Sequence, residues 1–69
     1  MFNISLNKDS DTPLYVQIFE HFKRLIEDQL IENPKLPSIR DLAKSLGVNN
    51  VTIVNSYRLL EQEGYVYSV

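Results

Sequence analysis

Apolar residues recur at helical spacing in the first half of the chain. Their intervals of four, four, three and one place them on a single face of an α-helix. Thr12 is a candidate N-cap, and Pro13 suits the first helical position because its missing N–H is not needed there. The pattern predicts a first helix over residues 13–30. Its apolar stripe consists of Leu14, Ile18, Phe22, Leu25 and Ile26, widened by Tyr15 and Phe19.

Residues 38–46 predict a short second helix. Ser38, with Asp41 three residues later, resembles a capping box at its start. Gly47 follows its last apolar residue, and glycine is the usual residue for the left-handed conformation that ends a helix. The side expected to face the core consists of Ile39, Leu42, Ala43 and Leu46.

A third helix is predicted over residues 49–63. The Asn49 side chain can accept a hydrogen bond from a free backbone N–H at its start, and Gly64 marks its end. The order helix, glycine turn, capped helix is that of a DNA-binding helix-turn-helix. The inner side is expected to hold Ile53, Ser56, Tyr57 and Leu60, and the outer side Val51, Asn55, Arg58 and Gln62.

Both ends of the chain show a β-prone alternation of side chains. In residues 1–8, apolar Phe2, Ile4 and Leu6 alternate with polar residues, which predicts an extended arm or an edge strand. Residues 65–69 also alternate and predict a further strand. The expected fold is therefore a single, mainly α domain with short β-strands.

Composition and charge limit the functional classes. The 69 residues contain no cysteine, which excludes disulfides and thiolate metal sites. The net charge of −2 disfavours a polyanionic partner, but residues 35–60 carry +3, so the helix-turn-helix lies in the only positive stretch. No apolar run approaches the length of a membrane span, and we expect a soluble, cytoplasmic protein.

No grouping of side chains points to catalysis. We find no nucleophile with a base, no glycine-rich phosphate loop and no paired carboxylates, so no enzyme activity and no cofactor are expected in this segment. His21 is the only histidine and lacks a second ligand, so a partly buried ring is favoured over a metal site. Lys44 and Arg58 are expected to be solvated.

Several spaced motifs resemble the winged helix-turn-helix domain of GntR-type bacterial transcription regulators. They are the segments 36–43, Gly47-Val48, Thr52-Ile53 and 57–66, and the segment 12–18 resembles the first helix of the YtrA-like and MocR-like branches. The resemblance implies operator binding as a homodimer, and residues 65–69 become the first strand of a wing. The wing tip and return strand are absent, so we expect a fragment of a longer, effector-responsive regulator. In the MocR-like branch the C-terminal domain holds pyridoxal phosphate.

The outer face of a recognition helix in the major groove contacts base edges. An asparagine amide can hydrogen-bond to adenine, and the Val51 methyl groups can pack against a thymine methyl group. These contacts suggest a half-site that is rich in A·T pairs. The resemblance implies that Arg40 contacts DNA. The alternative is that Arg40 forms a surface salt bridge with Asp41 or another acidic residue. The predicted DNA-binding residues are Ser38, Arg40, Asn49, Asn50, Val51, Thr52 and Asn55.

Two departures from the family pattern leave a second function open. Asn49-Asn50 replaces a frequent Ser-Arg pair, and Asn55 occupies another frequent arginine position. A protein surface with fewer cationic side chains releases fewer counterions from the DNA, so its binding to DNA is weaker. The alternative is therefore a winged helix that is used for protein interaction and binds DNA weakly or not at all. In that case residues 65–69 would add as an edge strand to the sheet of another chain.

Overall fold

The computed structural model describes residues 4–28 and 36–66. This part of the chain forms three helices, α1 (Leu14–Glu27), α2 (Ile39–Leu46) and α3 (Asn50–Gln62). The predicted mainly α, three-helix architecture is confirmed. No strand occurs among the described residues, and none of the described helices is long and apolar enough to cross a membrane.

The limits predicted for the first helix were wrong. Pro13 is the N-cap residue rather than the first helical residue, and no side chain caps the helix. The Thr12 carbonyl instead accepts a hydrogen bond of 2.8 Å from the Gln17 side chain, so the loop is held from within the helix. At the other end, Asp28 leaves the helical conformation (φ −82°, ψ 2°), and residues 29–30 lie outside the described residues.

The predicted caps of α2 and α3 are confirmed. The Ser38 hydroxyl oxygen accepts a hydrogen bond from the Asp41 N–H at 3.1 Å, and the Asn49 side-chain oxygen accepts one from the Val51 N–H at 3.2 Å. Between the helices Gly47 adopts φ 68° and ψ 36°, which favours glycine because a Cβ is strained there. These local contacts fix the turn from α2 into α3.

Helix α3 packs against both α1 and α2. Two predictions of burial were wrong, because Tyr15 and Ile39 retain 37% and 36% of their exposure. Both belong to the first helical turn, where the chain enters from the surface. The fully or nearly fully buried apolar side chains are Ile18, Phe19, Phe22, Leu42, Ala43, Ile53 and Leu60.

Ser56 joins α3 to α1 inside the core. It is completely buried, and its hydroxyl lies 2.8 Å from the Tyr15 carbonyl oxygen and 2.9 Å from that of Thr52. A hydroxyl has one hydrogen, so the two carbonyls share one donor. The small side chain lets the two helix backbones approach closely, and its polar atom is satisfied.

Tyr57 joins α3 to the segment that precedes α2. Its hydroxyl donates a hydrogen bond of 2.6 Å to the Pro37 carbonyl, and its ring packs edge-on against Phe22 with centroids 6.1 Å apart. Burial raises the pKa of Tyr57 to about 12. The start of α2 is therefore tied directly to α3.

The described residues of the two end segments pack against the core, and none of these described residues lies in a strand. The Gln17 side chain accepts from the Asn7 N–H and donates to the Asn7 carbonyl, at 2.8 and 2.9 Å, which holds the described part of the 1–8 arm. At the other end Tyr65 and Val66 form a bend, because the Tyr65 N–H donates to the Leu60 carbonyl at the end of α3. Residues 67–69 of the predicted wing strand lie outside the described residues.

Changing Ser56 should reveal how closely α1 and α3 approach. Ser56→Ala removes one buried hydrogen bond and should lower the free energy of unfolding by about 1 kcal/mol. Ser56→Val adds volume at a filled site and should lower the free energy of unfolding by roughly 1 to 3 kcal/mol more than Ser56→Ala does. Urea unfolding followed by circular dichroism measures both, with the exposed Glu61→Ala as the control, expected within about 0.5 kcal/mol of wild type. A Ser56→Val chain as stable as wild type would show that the helices are not in close contact there.

Tyr57 should make the stability depend on alkaline pH. Its folded-state pKa of about 12 lies above the ordinary value of 10.0, so its stabilising effect is complete below pH 10 and is lost as pH rises towards 12. Tyr57→Phe should be less stable than wild type at pH 7 by about 1 kcal/mol. The difference in free energy of unfolding between the variant and wild type should shrink between pH 10 and 12, as measured by urea unfolding. Tyr15→Phe, at an exposed tyrosine, is the control. A difference that is constant with pH contradicts the assignment.

Candidate nucleic-acid interface

The predicted DNA-binding residues occupy the N-terminal parts of α2 and α3. In α2 they lie at the cap and in the first turn, and in α3 they extend from the cap to the second turn. Ser38, Arg40, Asn49, Asn50 and Val51 are exposed, and Thr52 and Asn55 are half-buried. Each of the seven therefore retains some accessible surface.

Val51 is the most exposed large apolar residue among the described residues, at 61%. The exposure of Val51 follows from the helical period. Ile53 and Ser56 face the core, so Val51 lies on the opposite side of α3. Its amide is fixed by the Asn49 cap. The first turn of α3 thus presents methyl groups to solvent from a rigid backbone.

The two capping side chains keep hydrogen-bond donors for a ligand. The Ser38 oxygen accepts from the Asp41 N–H, which leaves the hydroxyl hydrogen available to donate. The Asn49 oxygen accepts from the Val51 N–H, which leaves its amide NH₂ group. Both donors lie at helix N-termini, where the backbone dipoles favour an anion.

Thr52 contributes mainly through its position. Its N–H donates to the Asn49 carbonyl at 3.0 Å, and its own carbonyl is one of the two acceptors near the Ser56 hydroxyl. The residue therefore connects the exposed first turn of α3 to the buried crossing with α1.

The sequence placed Arg58 on the outer side of α3 but predicted no binding role for it, and it did not place Tyr15 on this surface. A groove of about 340 Å³ runs along the outer side of α3 and extends to α1. The spacing of Asn55, Arg58 and Gln62 in the sequence indicates that they share one face of the helix. That Tyr15 of α1 also lines the groove could not be inferred without knowing how α1 packs against α3. The lining consists of Tyr15, Asn55, Arg58, Leu59 and Gln62.

A second groove lies on the other side of the molecule's first helix, between the N-terminal segment and α1. Its lining includes Asn7, Gln17, His21 and Arg24. His21 is half-buried, as predicted, and packs edge-on against Phe22 at 5.6 Å. Its pKa is lowered by burial and by the neighbouring Arg24. Within residues 4–28 and 36–66, no group of three His, Cys, Asp or Glu side chains could hold a metal ion.

Comparisons with known proteins agree with this architecture. Residues 14–69 match the family of bacterial regulatory proteins described as the gntR family. In Bacillus subtilis (strain 168), the HTH-type transcriptional regulator YhdI is 42% identical over 64 residues, covering 91% of this chain and 14% of YhdI. The HTH-type transcriptional repressor YtrA of the same strain is 36% identical over 64 residues, covering 91% of this chain and 49% of YtrA.

A solved structure shows the same fold. It is YtrA from Sulfolobus acidocaldarius, a GntR-family transcription factor, with 39% sequence identity and a TM-score of 0.89. The match covers 96% of this chain and 71% of that one. The present chain spans about one seventh of the length of YhdI and about half of the length of the curated YtrA. The chain therefore belongs to the gntR family of bacterial regulatory proteins and has the helix-turn-helix fold of their transcription regulators.

Proposed function

We propose that this chain binds double-stranded DNA sequence-specifically, with α3 in the major groove, as part of a longer bacterial transcription regulator. The observation that carries the proposal is the exposed first turn of α3, where Val51 faces solvent from a capped helix held against the core by Ser56. The width of the major groove, about 12 Å, accommodates one such helix.

Three residues are proposed to position the domain on the DNA backbone. Arg40 is exposed in the first turn of α2 and supplies a guanidinium group to a phosphate. Ser38 adds the free hydroxyl hydrogen of its cap, and Thr52 adds a hydroxyl at the start of α3. These contacts carry affinity and orientation but no sequence information.

Base recognition is assigned to the outer face of α3. Asn50 and Asn55 bear side-chain amides that can pair with the major-groove edge of adenine, and the Val51 methyl groups can pack on a thymine methyl. Asn49 is mainly a cap, because its oxygen is occupied by the Val51 N–H. We therefore expect a half-site rich in A·T pairs.

A single domain of this kind should bind weakly. Amides stand at Asn49, Asn50 and Asn55, so few cations are available to neutralise phosphates. A homodimer that places two domains on half-sites about 34 Å apart gains affinity because the second contact is intramolecular. We propose that the full-length regulator is such a dimer, acts in the cytoplasm and uses this domain for binding and not for catalysis.

Arg40 and Asn55 should affect DNA binding in different ways. Arg40→Gln should weaken binding to all duplexes and lower the slope of log affinity against log salt by about one. Asn55→Ala should leave the slope unchanged and relax base preference at one position, at a cost of about 1 to 3 kcal/mol on the preferred site. The measurements are fluorescence anisotropy over a salt series and selection from a random DNA pool.

The control for these variants is Arg24→Gln, which removes an equal charge at the far end of α1. It should change the slope by much less than Arg40→Gln. If the wild-type chain binds no duplex at about 50 mM salt, where electrostatic attraction is strongest, DNA binding by this domain is refuted and a protein-interaction role is favoured.

A further inference from the structure

The groove between α1 and α3 has the chemistry of an anion site. Arg58 offers five N–H donors, the side-chain amides of Asn55 and Gln62 offer two each, and the Tyr15 phenol offers one. The fifth lining residue, Leu59, is apolar, and no carboxylate lines the groove. Glu61 is exposed three residues beyond Arg58 but does not contribute to the lining.

The groove continues the face of α3 that is proposed to contact bases. Arg58 follows Asn55 by three residues and Val51 by seven, so the three side chains share one side of the helix. At a rise of 1.5 Å per residue, Arg58 lies about 10 Å beyond Val51 along the helix axis. Arg58 therefore lies almost two helical turns beyond the residues proposed to contact bases, at a distance that suits a contact with the DNA backbone rather than with the same bases.

The α1 wall of the groove is fixed in place by the core. The Tyr15 carbonyl lies 2.8 Å from the hydroxyl of Ser56, which is the residue after Asn55. The Tyr15 side chain, 37% exposed, is therefore held beside the α3 face rather than on a mobile loop. A ligand in the groove meets donors from two helices with a fixed separation.

We propose that this groove binds a phosphate of the DNA backbone, with Arg58 as the principal donor and Tyr15 and Gln62 completing the site. The proposal rests on the DNA-binding function proposed above and adds a backbone contact that the sequence did not indicate, since Arg58 was expected to be solvated. It also supplies a cation on the α3 face whose other polar positions are neutral amides.

The test compares three arginine variants of the 69-residue chain. Arg58→Gln removes the charge and the donor fork, Arg58→Lys keeps the charge alone, and Arg24→Gln removes an equal charge from the opposite end of α1. Binding to a fluorescein-labelled mixed-sequence duplex is measured by anisotropy between about 50 and 200 mM salt. Circular dichroism verifies that each variant retains the helical content of wild type.

Arg58→Gln should weaken binding about tenfold at 50 mM salt and lower the salt slope by about one. Arg58→Lys should retain the slope and bind a few-fold more weakly, because an ammonium group lacks the guanidinium fork. Tyr15→Phe should weaken binding to a smaller extent without changing the slope. Arg24→Gln should stay near wild type.

Equal, small losses in Arg58→Gln and Arg24→Gln, with wild type still binding, would overturn the phosphate site and leave the proposed function intact. An Arg58→Gln chain that binds DNA with the affinity and salt slope of wild type would also overturn the phosphate site. If the wild-type chain binds no duplex, the proposed function itself fails, and the phosphate site fails with it.

Discussion

The crossing of α1 and α3 at Ser56 is the constraint on which the other contacts depend. A buried hydroxyl shared by the carbonyls of Tyr15 and Thr52 requires the two helix backbones to lie close together. A larger or unsatisfied side chain would separate them or leave a polar group without a partner. Helix α3 also packs against α2, so the three described helices are joined through α3.

Stability and recognition are therefore combined in a single helix. Ile53, Ser56 and Leu60 bury one side of α3, while the opposite side remains exposed. Tyr57 adds a connection to Pro37 and thereby holds the start of α2 at a defined place beside α3. The two helices that are proposed to meet DNA are thus joined to their neighbours by buried or partly buried hydrogen bonds, which suits a surface that must match the spacing of base edges and phosphates.

Contacts between residues that are close in sequence were more predictable than contacts between distant parts of the chain. The caps at Ser38 and Asn49 and the turn at Gly47 depend on neighbouring residues, and the structure confirms all three. The start of α1 was mispredicted because Gln17, not Thr12, organises the preceding loop. The predicted strand beginning at Tyr65 does not start there, since its N–H completes the end of α3. The groove containing Arg58 required the packing of α1 against α3, which no local pattern specifies.

The most direct test of the account is a titration of the isotope-labelled chain with a DNA duplex, followed by nuclear magnetic resonance. We expect the largest chemical-shift changes at the start of α2 and along the outer face of α3, namely at Ser38, Arg40, Val51 and Arg58. Residues of the groove between the N-terminal segment and α1, such as His21, should change little. Changes confined to that second groove, with α3 unaffected, would contradict the central claim that α3 is the DNA-contacting helix.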